Sequence, residues 1–391
     1  MKVLFVTLPE KGHLHPLFGP ARELERAGHE VAFYAPRDVS AELARAGFER
    51  AFAGAPAPPR DEDRGPELAR LVRDREALRG WIKRLLVDAV DEEVPRLEAV
   101  VREFRPRVIA ADPMAYQAPI AAARAGLPWA ALSTSLNPVV PDDFSSELID
   151  TNAWLARDRD ALFARFGCAA RFRVCDCLSP HATLAFTTDA LTGAPPPGVI
   201  LAGPSLPRGE RGDEPPFPWE RLDGRPIVYL SLGSQIYWQP RIFATVLAAV
   251  RERDAQLVMS VGELASSGAL GPLPDDVVAV RYAPQLQLLA KTAVMITHGG
   301  ANSVMEALAF GVPLLVTPIC NDQFHNARFV ERSGAGLALD LDAATAAECG
   351  RALDALLGDG PLRQNAARVA ASYRANDGAA RAAAEIVRLG R

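Results

Sequence analysis

A chain of 391 residues exceeds what one ordinary hydrophobic core serves, and 49% hydrophobic with 23% charged residues is a globular composition, so two domains are expected. A formal net charge of −5, with acids and bases intermingled and no basic stripe or polybasic run, argues against nucleic acid and against an anionic membrane surface. Five cysteines make no disulfide framework, and Cys175-Asp-Cys177 has no second pair at metal-ligand spacing, which points to a reducing cytoplasm.

The chain opens with Met1-Lys-Val-Leu-Phe-Val-Thr7, too short and too soon broken for a signal peptide or membrane span, and reads as a buried strand. Short apolar runs at Val3–Leu8, Glu30–Tyr34, Val108–Ala111, Trp129–Ser133 and Ala182–Phe186 alternate with helical patterns at Phe18–Ala27, Leu85–Phe104 and Ala118–Ala125. That alternation predicts an α/β fold with a doubly wound parallel sheet over residues 1–205. Proline, glycine and charge crowd residues 206–224, which read as a linker. A second strand set follows at Pro226–Leu232, Gln256–Val261, Val277–Tyr282, Val294–Thr297 and Leu314–Thr317, giving a second sheet domain over 225–373. Beyond it, Asn376-Asp-Gly378 breaks an alanine-rich stretch and sets off a last helix within 374–391. Two such halves create a cleft at the C-terminal ends of their strands, where open parallel sheets bind ligands.

Two stretches aim chemistry at that cleft. After the first strand comes Pro9-Glu-Lys-Gly-His-Leu-His-Pro-Leu17, which places His13 and His15 at a glycine-flanked turn. Imidazole titrates near working pH and can take a proton from a hydroxyl. In the second half, His298-Gly-Gly-Ala-Asn-Ser-Val-Met-Glu306 follows the run Ala293–Thr297 and opens a helix. Its glycines let backbone approach a ligand, and the helix N-terminus favours an anion such as diphosphate. Glu306 lies about one turn further on, placed to accept two ribose hydroxyl hydrogen bonds.

With Arg281-Tyr-Ala-Pro-Gln285 upstream and Pro318-Ile-Cys-Asn-Asp-Gln323 followed by Asn326 downstream, this segment resembles the donor-binding signature of the inverting, UDP-sugar-dependent glycosyltransferases of the GT-B fold. That superfamily includes bacterial macrolide and polyketide glycosyltransferases and plant UDP-glycosyltransferases. The resemblance runs from the glycine-histidine-proline turn to about residue 326 and is weakest at about 50–105 and 140–225. It implies two facing Rossmann-like domains, with a terminal helix that crosses back onto the first. It implies transfer of a hexose, glucose by expectation, from UDP to a small hydrophobic hydroxylated acceptor, with no cofactor beyond the UDP-sugar co-substrate.

The resemblance maps the catalytic base onto His13, three residues before Pro16, with His15 as the rival, and places its orienting carboxylate at Asp112. An N-cap role for Asp112 ahead of Pro113 is the alternative. On the donor side it implies that Tyr282 stacks on uracil where tryptophan is commoner, that Gln285 and Glu306 take the ribose, and that Ser234 meets phosphate. His298, Gly299, Gly300, Asn302 and Ser303 should bind the diphosphate, and Asp322 and Gln323 should read sugar hydroxyls.

The loops 56–84 and 136–177 should line the acceptor side, where Trp81, Ile82, Phe144, Trp154 and Phe163 form an apolar bowl or belong to the core. Asp158-Arg-Asp160 and Asp340-Leu-Asp342 resemble a metal-binding aspartate pair, yet read more simply as solvated loops, so no metal is expected. The protein should act as a monomer or homodimer. A sugar-nucleotide 2-epimerase and a non-catalytic auxiliary protein of the same fold are the rivals. A nicotinamide dehydrogenase is disfavoured, because Gly12-His-Leu-His-Pro16 lacks the second glycine of a dinucleotide turn.

Overall fold

The computed structural model describes residues 1–55, 65–209, 211, 212 and 214–391. Its strands, in chain order, are β1 (Lys2–Val6), β2 (Glu30–Arg37), β3 (Ala51–Ala55), β4 (Val108–Ala111), β5 (Trp129–Ser133), β6 (Arg171–Arg173), β7 (Asp176–Leu178), β8 (Ala182–Ala185) and β9 (Val199–Leu201), then β10 (Ile227–Ser231), β11 (Gln256–Ser260), β12 (Val278–Val280), β13 (Thr292–Thr297), β14 (Leu314–Val316) and β15 (Gly336–Ala338). Seven form one parallel sheet in the order β3-β2-β1-β4-β5-β8-β9, and six form a second in the order β12-β11-β10-β13-β14-β15. The order reverses between β1 and β4 in the first sheet and between β10 and β13 in the second. Those reversals open the crevices in which doubly wound sheets bind ligands.

Helices cover both faces of each sheet, so the central strands are apolar along their length and not alternating. Every residue of β4, β5, β8, β10 and β11 is buried. Along β1, Val3 and Phe5 enter one core cluster while Leu4 and Val6 enter the opposite one. Each such large side chain contributes about 1.5–3 kcal/mol by leaving water.

Several elements differ from their sequence expectation. Helix α1 spans Lys11–Arg26 and begins seven residues before Phe18, although Pro16 and Pro20 lie inside it. A proline has no N–H to give the carbonyl four residues back, so Gly12 and Pro16 are left with unclaimed oxygens. Both find outside donors: the Asn302 Nδ2 atom bonds the Gly12 oxygen at 2.7 Å, and the Ser205 hydroxyl bonds the Pro16 oxygen. Instead of one helix over Leu85–Phe104, a helix at Arg75–Lys83 runs into a π-helical turn at Arg84–Asp88 and then into α2 (Val90–Phe104). Strands β9 and β15 and both arms of the antiparallel ribbon β6–β7 have three residues each, too few to mark themselves by periodicity, and β3 reads Ala-Phe-Ala-Gly-Ala, with a single large apolar residue.

In the second half, α3 (Ala301–Ala309) follows β13 and α4 (Gln323–Ser333) follows β14. The chain breaks at residues 375–377, where Asp377 caps α5 (Gly378–Leu389) by accepting from the Ala380 amide at 2.9 Å. Helix α5 packs on α1, and the Arg107 guanidinium before β4 bonds the Gly390 oxygen while Arg388 of α5 bonds the His181 oxygen before β8. Among the described residues no helix is long and apolar enough to cross a membrane.

Candidate active site

A cavity of about 330 Å³ lies between the two sheets at the ends of β1, β4, β10 and β13. Its wall brings together His13, Ser234, Tyr282, Gln285, His298, Gly300, Asn302, Ser303, Glu306, Asp322 and Gln323, with His15 also present.

His13 sits in the first turn of α1, not on a turn before a helix. Asp112 extends β4 by one residue and is fully buried. It does not cap a helix: the next helix starts at Gln117 with Tyr116 at its cap position. Asp112 Oδ1 accepts from the Met114 amide at 2.8 Å, while Oδ2 lies 2.7 Å from His13 Nδ1 and accepts from the Thr134 hydroxyl at 2.7 Å. The Thr134 oxygen is also 3.0 Å from His13 Nδ1. A carboxylate can only accept, so Nδ1 carries the proton and Nε2 is left to take one. Burial pushes the His13 pKa down, but the charge and hydrogen bond of Asp112 outweigh it, with Glu10 and Asp322 assisting, and raise it to about 9. The ring remains 24% exposed toward the cavity.

Behind this pair stands a residue that sequence reading passed over. Asp176, between the two cysteines of the ribbon, is fully buried and accepts from Ser133 at 2.6 Å and Asn137 at 2.9 Å, with Ser135 at 3.4 Å. It thereby holds both neighbours of Thr134. Burial chiefly, and Asp112 in addition, push its carboxyl up to about 7 against those hydrogen bonds. Periodicity could not mark Thr134 or Asp176: Thr134 sits in a polar Ser-Thr-Ser run at the end of β5, and Asp176 opens the three-residue strand β7. Cys175 and Cys177 are buried free thiols.

On the donor side, no carboxylate among the described residues pairs with His298, and burial lowers its pKa to about 4, so it is neutral. Its ring lies against Gly233 and Gly300, where an added Cβ would stand 2.8 and 2.7 Å from ring atoms. Gly233 has a φ of +78° and Gly299 of +90°, so glycine is required for conformation as well as space. The turn delivers His298, Ser303 and the free amides of α3 to one wall.

Other donor-side residues are partly committed elsewhere. Asn302 spends its Nδ2 on Gly12 across the cleft. Glu306 receives the Gln285 amide on Oε2 at 2.7 Å and the Arg211 guanidinium on Oε1 at 2.9 Å. Gln323 is 4% exposed, and its Oε1 accepts from the Ile319 and Cys320 amides, which shapes the loop and leaves only its NH₂ group to donate. Asp322 takes the Asn326 amide group at 3.0 Å, and burial raises its pKa. Tyr282 is 36% exposed, with the Lys11 ammonium 5.5 Å from its ring centre.

The acceptor expectations need correction. Trp81 and Ile82 line the cavity, but Phe144, Trp154 and Phe163 do not. Phe144 is buried against Phe329 and His325 beneath Arg328 and Arg332, because the two domains meet there. Trp154 is 48% exposed on the surface, and Phe163 packs on Tyr116 and Phe172 in the core. The apolar wall is instead completed by Leu85 and Leu86 of the π-helical turn with Met114, Leu148 and Ile236. A π turn re-aims side chains by one position, which a helical count cannot anticipate. Residues 56–64 of the expected acceptor loop lie outside the described residues. Among the described residues no group of three or more His, Cys, Asp or Glu is placed to hold a metal ion. Asp158 is 3.9 Å from Lys83 and Asp342 pairs with Arg73.

Residues 244–389 match the model of the erythromycin biosynthesis protein CIII-like C-terminal domain. The L-demethylnoviosyl transferase of Streptomyces niveus is 30% identical over 388 residues, covering 95% of this chain and 93% of that enzyme. The chain belongs to the bacterial natural-product glycosyltransferases of the GT-B fold. The 4'-demethylrebeccamycin synthase of Lentzea aerocolonigenes is 27% identical over 413 residues, with 96% of each chain covered. The solved glycosyltransferase of kitacinnamycin superposes with a TM-score of 0.79 at 26% identity, over 100% of this chain and 99% of that one. The protein is therefore a glycosyltransferase of the antibiotic-biosynthesis type with the GT-B architecture expected from its motifs.

Proposed function

We propose that this glycosyltransferase moves a hexose from a UDP-sugar to a hydroxyl of a small hydrophobic natural product, by a single inverting displacement that needs no metal. The observation that carries the reading is the His13–Asp112 pair at 2.7 Å, with His13 on the cavity wall that the His298 turn also lines and Asp112 buried behind it. His13 Nε2 takes the acceptor proton as the acceptor oxygen bonds the anomeric carbon, and the bond from that carbon to the diphosphate breaks on the opposite face. Asp112 stabilises the imidazolium that forms. Charge on the departing diphosphate is met by the α3 amides and by the N–H of neutral His298, donors fixed before reaction begins. Glu306 and Gln285 take the ribose, Tyr282 stacks on the base, and Asp322 with the NH₂ of Gln323 meets the sugar. Trp81, Leu85, Leu86 and Met114 supply the apolar seat for the acceptor.

Incubation with UDP-glucose and a panel of hydroxylated aromatic and polyketide acceptors should release UDP and add a hexose mass to an acceptor. The anomeric coupling of the product should be that of a β-glycoside, and EDTA should leave the rate nearly unchanged. An α-glycoside, or activity lost to chelator and restored by manganese, would overturn the mechanism. An auxiliary protein would transfer nothing, and a 2-epimerase would convert the donor without acceptor.

A further inference from the structure

The interdomain linker places a charged residue inside the donor site. The Arg211 guanidinium bonds Glu306 Oε1 at 2.9 Å, and the two side chains are only 13% and 6% exposed. The linker turn that presents Arg211 is anchored elsewhere. Its backbone amides at Arg211 and Gly212 bond the Glu214 carboxylate at 2.6 and 2.8 Å, and Arg22 of α1 reaches the Arg211 carbonyl at 3.4 Å. Gly212 has a φ of +96° and lies so close to Arg45 that an added Cβ would meet its carbonyl oxygen at 2.2 Å. The backbone of Arg211 thus rests on the first domain while its side chain is held by the donor carboxylate of the second.

This geometry changes what a sugar-nucleotide must supply. Glu306 is nearly buried, and a buried carboxylate oxygen left without a donor carries a large penalty. In a site of that kind the ligand's own hydroxyls satisfy the oxygens, and an analogue lacking one is strongly rejected. Here Gln285 already serves Oε2 and Arg211 serves Oε1. Each oxygen keeps a second lone pair for a ribose hydroxyl, but neither is orphaned when that hydroxyl is missing.

We infer that Arg211 is a specificity-determining residue of the donor site, which makes it tolerant of nucleotides lacking the ribose 2′-hydroxyl by keeping Glu306 paired when that hydroxyl is absent. The inference rests on the reading of Glu306 as the ribose acceptor.

Calorimetry with UDP and 2′-deoxy-UDP, which differ only at the 2′ position, tests it on the whole protein. The wild type should bind the two within about threefold, whereas Arg211→Met should widen the ratio to about tenfold or more in favour of UDP, as an unpaired oxygen then distinguishes them. Arg211→Lys, which keeps a cation, should stay near the wild-type ratio. In an Arg211→Met, Glu306→Gln double variant the ratio should fall back, because the charge that needed pairing is gone. A ratio unmoved by Arg211→Met, or one that stays wide in the double variant, overturns the inference while leaving the donor site where it is. Should Arg211→Met not fold, Arg211→Leu, which likewise has no donor for Glu306, carries the same comparison. If the wild type binds neither nucleotide, or if Glu306→Gln leaves UDP affinity unchanged, the donor-site reading itself fails and the role of Arg211 with it.

Discussion

His13 and His298 both lie beside the points where strand order reverses in two similar sheets, His13 in the first turn of the helix after β1 and His298 in the turn between β13 and α3, yet they are driven to opposite ends of the imidazole range. Burial pushes both down. His13 has a buried carboxylate 2.7 Å from its Nδ1 and rises to about 9, whereas His298 lies against glycines with a threonine hydroxyl 3.4 Å away and falls to about 4. The position in the fold exposes a histidine to the cleft. What lies behind the ring decides whether it can bear a positive charge, and hence whether it suits proton transfer or the neutral donation of a hydrogen bond.

The sharpest way to break this contrast is to delete His13, the proposed proton acceptor. His13→Ala should lower transfer by roughly 100- to 10,000-fold while UDP affinity changes little, because the nucleotide site belongs to the other domain. Retained turnover, measured as hexose-labelled product, would remove His13 from the chemistry.

Asp112→Asn should make His13 resemble His298. Loss of the charge and hydrogen bond that raise its pKa leaves burial to lower it, so the rising limb of rate against pH should move to lower pH. The wild-type rate should climb roughly tenfold per unit up to about pH 9, since the base acts only when neutral. The maximal rate of the variant should fall by roughly 10- to 1,000-fold as the orienting carboxylate is lost. An unmoved limb would show that another group is titrating.

On the neutral side, Glu306→Ala should weaken UDP binding by about 1.5–3 kcal/mol in calorimetry, without altering the pH limb that His13 sets. Gly233→Ala forces a side chain into a left-handed backbone and against the His298 ring, and should weaken UDP by roughly three- to tenfold. Unchanged affinity would mean that the ring's place does not matter to the nucleotide.

A change in stability, with no bearing on transfer, concerns the second buried acid. The folded Asp176 holds its proton up to about pH 7, whereas an unfolded aspartate loses it near the ordinary value of 3.8, so the folded state binds the extra proton between these values. Its contribution to stability must then decline as pH rises through that window, by at most about 1.4 kcal/mol per unit. Denaturant melts from pH 4 to 7 should show a shallower decline for Asp176→Asn than for the wild type. Identical slopes would mean that Asp176 does not titrate there.

The architecture was legible because it depends on local regularities. Runs such as Val108–Ala111 are apolar throughout because both sheet faces are covered, and the Gly-Gly turn after Thr297 announces a strand, a ligand and a helix by residue type alone. His13 and Asp112 could be named from motif and strand-end position. Their hydrogen bond, and the shares of Thr134 and Asp176 in it, join residues 22 to 121 positions apart, and no periodicity encodes such distances.

Where the sequence misled, competing physics was at work. The apolar pattern placed the start of α1 near Phe18, but donors from Asn302 and Ser205 satisfy the carbonyls that Pro16 and Pro20 free, so the helix begins at Lys11 and carries His13 within it. Apolar residues alone could not separate Trp81, which faces the cavity, from Phe144, which seals the domain seam, since both are large and half the chain is hydrophobic. The sequence by itself determined the two sheets, the helix N-terminus for an anion and the residue types at the strand ends. Only the tertiary structure decided which histidine is charged and that Arg211 meets Glu306, because both depend on charges brought within 3 Å by segments remote along the chain.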